Sequence, residues 1–523
     1  MVQFDDADFH ALDVTEPVSI TLTIGELDDA LNNLETYGLY LRAFNAETGA
    51  VEDEPEKELE TVLCLSLTVG SDLEPTWTLI SDRAKAQNAT RNLTWSDRVR
   101  LAPARIGALA EFNLGWRRGS VLNRLTDEKA DASAALAKAA RDARGSFGDD
   151  AEKQLGETLR VVGEVAQELG IDVGDRVRAL LDAHSITFSG GTISLHDEEG
   201  VPLRGLGTGS ARLLIAGLQS RAAAQSPILL VDELEHGLEP HRIIRFLGSL
   251  GAKEKSPPLQ VLMATHSPVA LRELSGGQLW VVREREGQHE FLNVGSESDV
   301  QSAIRLYPDA FLASSVLVGE GASEVGLVRG LDQHSSANDQ VSVFACGVGL
   351  VDCGGGEADK PFIRAAAFQR LGYRTALLRD DDTKPSEVVV KAFADLGGAI
   401  FSWRDGRTLE DELFLSLPDI AIGKMINAAI DLNGEAVVDG HIRAASQNGS
   451  NLRVVRTEIA AGPLSAQTRA VLGAAARTRK AGWFKSVSRM EAVARDIIAP
   501  QLAAADAGFR EIVTSVFEWM RGG

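Results

Sequence analysis

The chain has 523 residues, 44% hydrophobic and 24% charged, with a formal net charge of −22. This balance is that of a globular protein long enough for two to four domains, and it excludes fibrous and disordered classes. It also excludes a protein that coats nucleic acid over its whole surface, because phosphate contacts come from Lys and Arg. No apolar run approaches the roughly 20 residues that a membrane span needs, and the opening MVQFDD lacks the basic start and apolar core of a signal peptide. A cytoplasmic protein without a membrane partner is expected. Cys64, Cys346 and Cys353 have neither disulfide density nor zinc spacing, and are expected to be small core residues with ordinary thiols.

The chain opens with strand-like segments. VSITLTI (18–24) and TVLCLSLTV (61–69) are rich in β-branched residues, with an acidic, loop-like GAVEDEPEKE between them. From about 93 to 184 the pattern changes to Ala, Leu and charged residues at helical spacing, predicting a helical insertion broken near 145–148. Sheet-like sequence returns at SITFSGGTISLHDEEG (185–200). Strand and helix patterns then alternate to Val294 and again from Ser315 onward, which predicts parallel α/β sheets. Near the C-terminus, Arg443, Arg453, Arg456, Arg469, Arg477, Arg479, Lys480, Lys485 and Arg489 are opposed within that span only by Glu458. Such a stretch is either a solvated helical face or a local basic surface able to meet DNA.

Two groups of residues carry chemistry. In the first, the apolar run PILLV (227–231) is predicted to be a central parallel strand buried on both faces, and it ends in Asp232 and Glu233. An Asp there can hold Mg²⁺, and the following Glu can orient the water that attacks a γ-phosphate. A second strand expected to be buried, VLMATHSP (261–268), brings His266 beside these acids if the two strands are neighbours. Upstream, Gly207, Gly209 and Ser210 in LGTGS open an apolar helix, whose N-terminal amides suit a phosphate. The strand-T-H-S-P form resembles the RecF-like and OLD-like branch of the ATP-binding-cassette ATPases. In that resemblance His266 senses the γ-phosphate and LGTGS stands at the signature loop, with Gly207 and Ser210 departing from the usual residues. No G-x-x-x-x-G-K-[ST] phosphate loop occurs in residues 1–523. The family places it just before a segment resembling FDDADFHALDVTEPVSITLTI, so the chain is expected to begin after it, with ATP affinity weak or absent.

In the second group, SVLV (315–318) is an apolar strand followed by Glu320-Gly321 and a helix that contains Glu324. About 60 residues on, YRTALLRDDDTK supplies another apolar strand closed by Asp380, Asp381 and Asp382. Alternation puts Asp380 and Asp382 on one side and Asp381 on the other. If the two strands are parallel neighbours, Glu320, Asp380 and Asp382 converge where divalent cations relieve their repulsion. This pairing resembles a Toprim domain, and the order ATPase then Toprim resembles the OLD family of nucleases, including the Gabija-type antiphage nuclease, over nearly the whole chain. That resemblance implies an α/β fold: an ATP-binding-cassette-like sheet domain at 1–92 and 185–305 with a helical dimerisation insertion at 93–184, a Toprim Rossmann-like core at 313–416, and a C-terminal helical extension at 417–523.

It further implies a metal site of Glu320, Glu324, Asp380, Asp382 and Glu410 for Mg²⁺ or Mn²⁺, with Asp411 and Glu412 as competitors of Glu410. Lys485 stands where a Lys stabilises the scissile phosphate, with Lys480 as its rival; Trp483 and Phe484 are expected in the core. The expected activity is that of a metal-dependent DNA endonuclease or nickase in antiviral defence or DNA repair. The expected partners are DNA, a second copy in a homodimer, and a helicase-like protein as in Gabija-type systems. The alternative is a regulatory or structural ATPase-like module with little or no cutting. Primase or topoisomerase chemistry ranks below both, because zinc ligands and a domain bearing a Tyr nucleophile are missing from the pattern.

Overall fold

A computed structural model describes residues 4–92, 103–107, 113–114, 120–125, 138–139, 142, 153–161, 195–223, 227–404, 406–478 and 481–522. Most of the helical insertion expected at 93–184 lies outside the described residues, as do 185–194, Arg479 and Lys480. The chain forms two compact units, residues 1–231 with 258–262 and residues 232–257 with 263–523. No described helix is long and apolar enough to cross a membrane.

The first unit begins with an antiparallel sheet of β1 (Val18–Ile24), β2 (Leu41–Phe44), β3 (Val51–Glu52), β4 (Glu60–Val69), β5 (Pro75–Ile80) and β6 (Arg91–Asn92). Its order is β3-β2-β4-β5-β6, with β1 also paired to β4. β4 is the spine because its β-branched and apolar run buries Val62 through Leu67 without a break. A second sheet has the order β7-β8-β9, from Ala104–Ile106, Ile228–Val231 and Gln260–Met263, with β7 parallel to β8. β7 interrupts the helical spacing read over 93–184: three residues are too few for a periodicity to show in sequence. The expected burial of both faces of β8 and β9 is corrected. Leu229 and Val231 are buried, but Leu230 is 37% and Leu262 56% exposed, so the alternating side chains cover one face only. Helix α1 (Thr208–Arg221) buries Ala211, Ile215 and Ala216.

In the second unit, α2 (Pro240–Ser249) and α3 (Pro268–Glu273) precede a hairpin of β10 (Trp280–Arg285) and β11 (Gln288–Asn293). Its two-residue turn, Glu286-Gly287, has φ of 51° and 77°, as a tight hairpin requires. The core is a parallel sheet of β12 (Ser315–Gly319), β13 (Val348–Asp352), β14 (Arg374–Arg379) and β15 (Ala399–Ser402), in the order β13-β12-β14-β15. Side chains alternate between two hydrophobic layers: Val316, Val318 and Leu377 enter one, Leu317, Ala376 and Leu378 the other. The first layer also contains Leu271, Val294, Val300 and Ile304. Apolar packing is thus continuous across the 305–313 interval where the sequence pattern placed a domain boundary.

The other layer packs α4 (Ala322–Ser336) and a run of helices: α5 (Lys360–Arg370) belongs to the first face, then come α6 (Leu409–Ser416), α7 (Asp419–Asn433), α8 (Glu435–Ala445), α9 (Leu452–Ala461), α10 (Ala466–Ala476), α11 (Val487–Val493) and α12 (Ala507–Arg521). Trp483 and Phe484 are fully buried in this layer. Cys64 and Cys353 are buried, whereas Cys346 is exposed and departs from the core position expected of it.

Helix α4 crosses α11 at Gly326 and Gly330. A Cβ on Gly330 would lie 2.3 Å from Glu491 O and 2.6 Å from Ala494 Cβ, atoms of a packed helix that cannot swing aside. Gly→Ala in a helix interior ordinarily stabilises by about 0.5–1 kcal/mol. Here the sign should reverse: Gly330→Ala is expected to destabilise by about 1–3 kcal/mol through overpacking, seen as a lower urea midpoint in fluorescence-monitored unfolding.

Candidate functional site

The parallel register sets Gly319 of β12 opposite Leu378 of β14, so the next residues on each strand, Glu320 and Asp380, emerge together at the C-terminal edge of the sheet. Glu320 N donates to Leu378 O at 2.9 Å, and Asp380 N donates back to Glu320 Oε2 at 3.1 Å. Strand pairing thereby continues through the acids themselves. The edge is also bounded by the turn after β13, where Gly355 N donates to Glu320 O at 2.9 Å. Gly354, Gly355 and Gly356 adopt φ of 73°, 68° and 113°, a run that L side chains would strain.

Two helices bring further carboxylates. Glu324, in the first turn of α4, accepts a 2.9 Å bond from Gly321 N and is buried. Glu410, in the first turn of α6, is buried, and its Oε1 has no hydrogen-bond partner among the described residues. Asp380 Oδ1 accepts from Leu409 N at 2.9 Å, tying β14 to the start of α6. Of the competitors of Glu410, Asp411 caps α6 through Thr408 and faces Arg477 at 3.4 Å, while Glu412 is fully buried against Arg404 and Arg407. The geometry thus assigns the three neighbouring acids three different surroundings.

Electrostatics tie the group together. Burial, then the charges of Glu410, Glu320 and Asp382, push the Asp380 carboxyl up to about 8. Glu324 is held well above the carboxylate range by burial and by Asp380, Glu410 and Glu320. Burial also raises Glu410, with the Lys485 charge opposing it. Glu320 is raised by burial and Asp382 against the pull of the Asp380 amide and Arg379. Asp381 behaves oppositely: bonds from Lys384, the Gly406 amide and Arg379 hold it low. Asp380 and Asp382 therefore act on one group of acids, and Asp381 is anchored elsewhere.

Among the described residues, no three His, Cys, Asp or Glu side chains stand together in chelating geometry. The reason is visible in the bonds above: Glu320, Glu324 and Asp380 each turn an oxygen onto a backbone N–H. In chemical kind the donors fit a hard divalent cation, since all are carboxylate oxygens and one of them, on Glu410, is buried and unsatisfied. Lys485 is exposed; its side chain lies over Gly482, where a Cβ would meet Lys485 Cγ at 2.6 Å. Lys480 lies outside the described residues.

Of the ATPase-type residues, Gly207 is the N-cap of α1 in the first unit, with Gly209 buried and Ser210 half-buried in its first turn. In the second unit Asp232, Glu233 and His266 are exposed, Glu233 has φ of 44°, and its carboxylate lies 3.7 Å from His236. The residue that clasps the His266 segment is Glu235, which sequence reasoning missed. Its Oε1 accepts from His266 N and its Oε2 from Thr265 Oγ1, both at 2.7 Å. Burial works against the Glu235 charge, but these bonds prevail and hold its carboxyl below the usual range. Nothing local distinguishes it from the other acids of DELEH. Arg379, missed too, carried a signal: a charge closing the otherwise apolar strand TALLR. It is buried and binds Asp381 and Thr383 O, shaping the Asp380–Asp382 turn.

Residues 42–272 match the family model described as "AAA domain, putative AbiEii toxin, Type IV TA system", a span of less than half the chain. The chain therefore contains an AAA-type ATPase-like domain associated with AbiEii-like defence systems, which implies use of a nucleotide with Mg²⁺. No curated protein matches the chain.

A carboxylate whose folded pKa is raised stabilises the fold below its unfolded pKa and loses that contribution as pH rises through the folded value. For Asp380 the window runs from about 4 to about 8, and Glu320, Glu324 and Glu410 act in the same direction. In EDTA, unfolding stability of the second unit should fall as pH rises from about 4 to about 8 and level off above that. Asp380→Asn should flatten that fall, as read by urea titrations at each pH.

Proposed function

We propose that the second unit is a Toprim-type, metal-dependent phosphodiester hydrolase acting on DNA, an endonuclease or nickase of the OLD kind. The observation that carries this reading is the convergence of Glu320, Glu324, Asp380 and Glu410 at one buried sheet edge, with Glu410 Oε1 unsatisfied. Carboxylates forced together against their own repulsion bind hard divalent cations. Glu320, Asp380 and Asp382 would hold one Mg²⁺ or Mn²⁺, with Glu324 and Glu410 turned to a second position. When bound, such ions activate the attacking water and neutralise the leaving oxygen. The remaining work falls to the protein's own groups. Asp380 gives up the proton that its pKa of about 8 retains near neutrality. Lys485, whose charge already reaches Glu410, would meet the scissile phosphate. Arg379 and the Gly406 amide hold Asp381 out of the group, so that the turn presents Asp380 and Asp382.

In this reading the ATPase-like domain regulates cutting and pairs two copies of the chain. A second reading is favoured by the match of residues 42–272: a defence-associated ATPase-like module that senses a partner or nucleotide, with cutting secondary.

Supercoiled plasmid incubated with Mg²⁺ or Mn²⁺ separates the two. The native chain should convert it to nicked or linear form, and EDTA should stop the reaction. Asp380→Ala and Glu320→Ala should each lower the rate at least about 100-fold, the scale of losing a metal-site residue. Cutting that ignores both substitutions, or no metal-dependent cutting by the native chain, would favour the regulatory module.

A further inference from the structure

The basic residues clustered between Arg443 and Arg489 in sequence separate in space. Arg469 is committed internally, bonding Phe414 O, Leu417 O and Asp419. Arg477 faces Asp411, and Arg489 donates to Asn433 Oδ1 at 3.2 Å. Lys485 belongs to the carboxylate edge. Among the described residues Arg443, Arg453 and Arg456 remain, and all three line one open cleft of about 1000 Å³ between α8 and α9.

We propose that this cleft is a docking site for the phosphate backbone of duplex DNA. The choice of DNA rests on the nuclease reading; the cleft's fitness for phosphate rests on its own chemistry. Arg443 and Arg456 are about half exposed and engaged only with exposed or partly exposed acids, Asp439 at 2.6 Å and Glu435 at 3.0 Å. Pairs of that kind are weak and exchange with a competing phosphate. The Arg453 guanidinium makes no ion pair or hydrogen bond among the described residues. It stands at the second position of the ten-residue α9, beside the positive end of the helix dipole. An anion already uses that end: Asp439 Oδ1 accepts from Leu452 N at 2.8 Å while its other oxygen binds Arg443. A phosphate oxygen offers the same acceptor chemistry to the same donors.

The position suits a substrate arm. Glu435, Asp439 and Arg443 form the cleft-facing stripe of α8, four residues apart. On another face of the same helix His441 Nδ1 accepts from Trp483 Nε1 at 3.1 Å, two residues before Lys485. The cleft is thus offset from the Lys485 segment by about one helix diameter, roughly 10 Å. A duplex advances about 34 Å per turn, so one backbone can cross the cleft within the turn that reaches the carboxylate edge. In a protein of net charge −22, such a local set of one unpaired and two weakly paired arginines is where a polyanion can be held.

The test is fluorescence anisotropy of a labelled duplex of about three helical turns with the full chain in EDTA, where cutting cannot intervene, over a salt series. Arg443→Gln/Arg453→Gln/Arg456→Gln should weaken binding at least about tenfold at 0.1 M salt and reduce the log–log salt slope by about two to three. Arg453→Glu alone, which breaks no ion pair, should weaken binding without altering circular dichroism. Affinity and slope unchanged in both variants, or no binding by the native chain, would overturn the proposal. So would arginine-dependent binding of polyglutamate in place of DNA, which would assign the cleft to an acidic protein. Plasmid nicking with Asp380→Ala is scored separately, so loss of the nuclease reading and loss of the cleft are distinct results.

Discussion

Repulsion among buried carboxylates is the constraint around which the second unit is built. Glu320 and Asp380 are adjacent because parallel strand register makes them so, and the hydrophobic layers on both faces of the sheet strip them of water. Glu324 and Glu410 then arrive from two helices, each raising the cost of charge on the others. No fold selected for stability alone would assemble this group, since each ionised acid in a low-dielectric edge opposes its neighbours. The surrounding packing has to hold against it, and the means are visible. β12 and β14 are buried along nearly their whole length. The crossing of α4 with α11 is close enough to demand Gly326 and Gly330. Arg329 and Gln333 of α4 both bind Glu491 of α11, at 2.8 and 2.7 Å, which locks the crossing on its polar side.

Helix α6 shows how one short segment serves both chemistry and structure. Successive residues on a helix point about 100° apart, so Glu410, Asp411 and Glu412 cannot share an environment. Glu410 turns toward the acids; Asp411 completes a capping box with Thr408; Glu412 faces inward and is neutralised by Arg404 and Arg407. Arg404 also contacts Asp506, the N-cap of α12, so the loop after β15 binds the last helix of the chain to the helix that carries Glu410. Removing Arg404 would leave a fully buried carboxylate short of a partner, the costly case for a buried ion pair. The far C-terminal helices thereby bear on the position of an acid about a hundred residues upstream.

How legible this was in sequence follows the range of the interactions. Strands β1, β4, β12 and β14 were readable because apolar and β-branched runs of five or more residues leave a local pattern. The strand-end placement of Glu320 and Asp380 was readable because acids directly after such strands have a place to go in a parallel sheet. β7 was not, since three residues carry no period, and the one-sided burial of β8 and β9 depends on what covers the sheet. Glu410 could be narrowed only to three neighbours, because helical phase relative to a distant sheet edge is a tertiary quantity. The basic stretch from Arg443 to Arg489 was visible as composition, yet Arg469 turned inward to backbone carbonyls while Arg453 did not; no local signal separates them.

The ATPase-type strand end tells a complementary story. Glu233 is held at φ 44°, a left-handed conformation that a non-glycine residue adopts at a cost of about 1–2 kcal/mol. Such strain persists only where neighbours over-determine it. Here Leu234 N donates to Ala264 O at 3.0 Å, and Glu235 clasps Thr265 and the His266 amide. The strained acid and the histidine loop are consequently one mechanical piece. The His266 loop is tied to Glu235 directly and to Glu233 through the backbone of Leu234. A strand end kept under strain costs stability, and the bonds of Glu235 to the next strand's loop are what offset it.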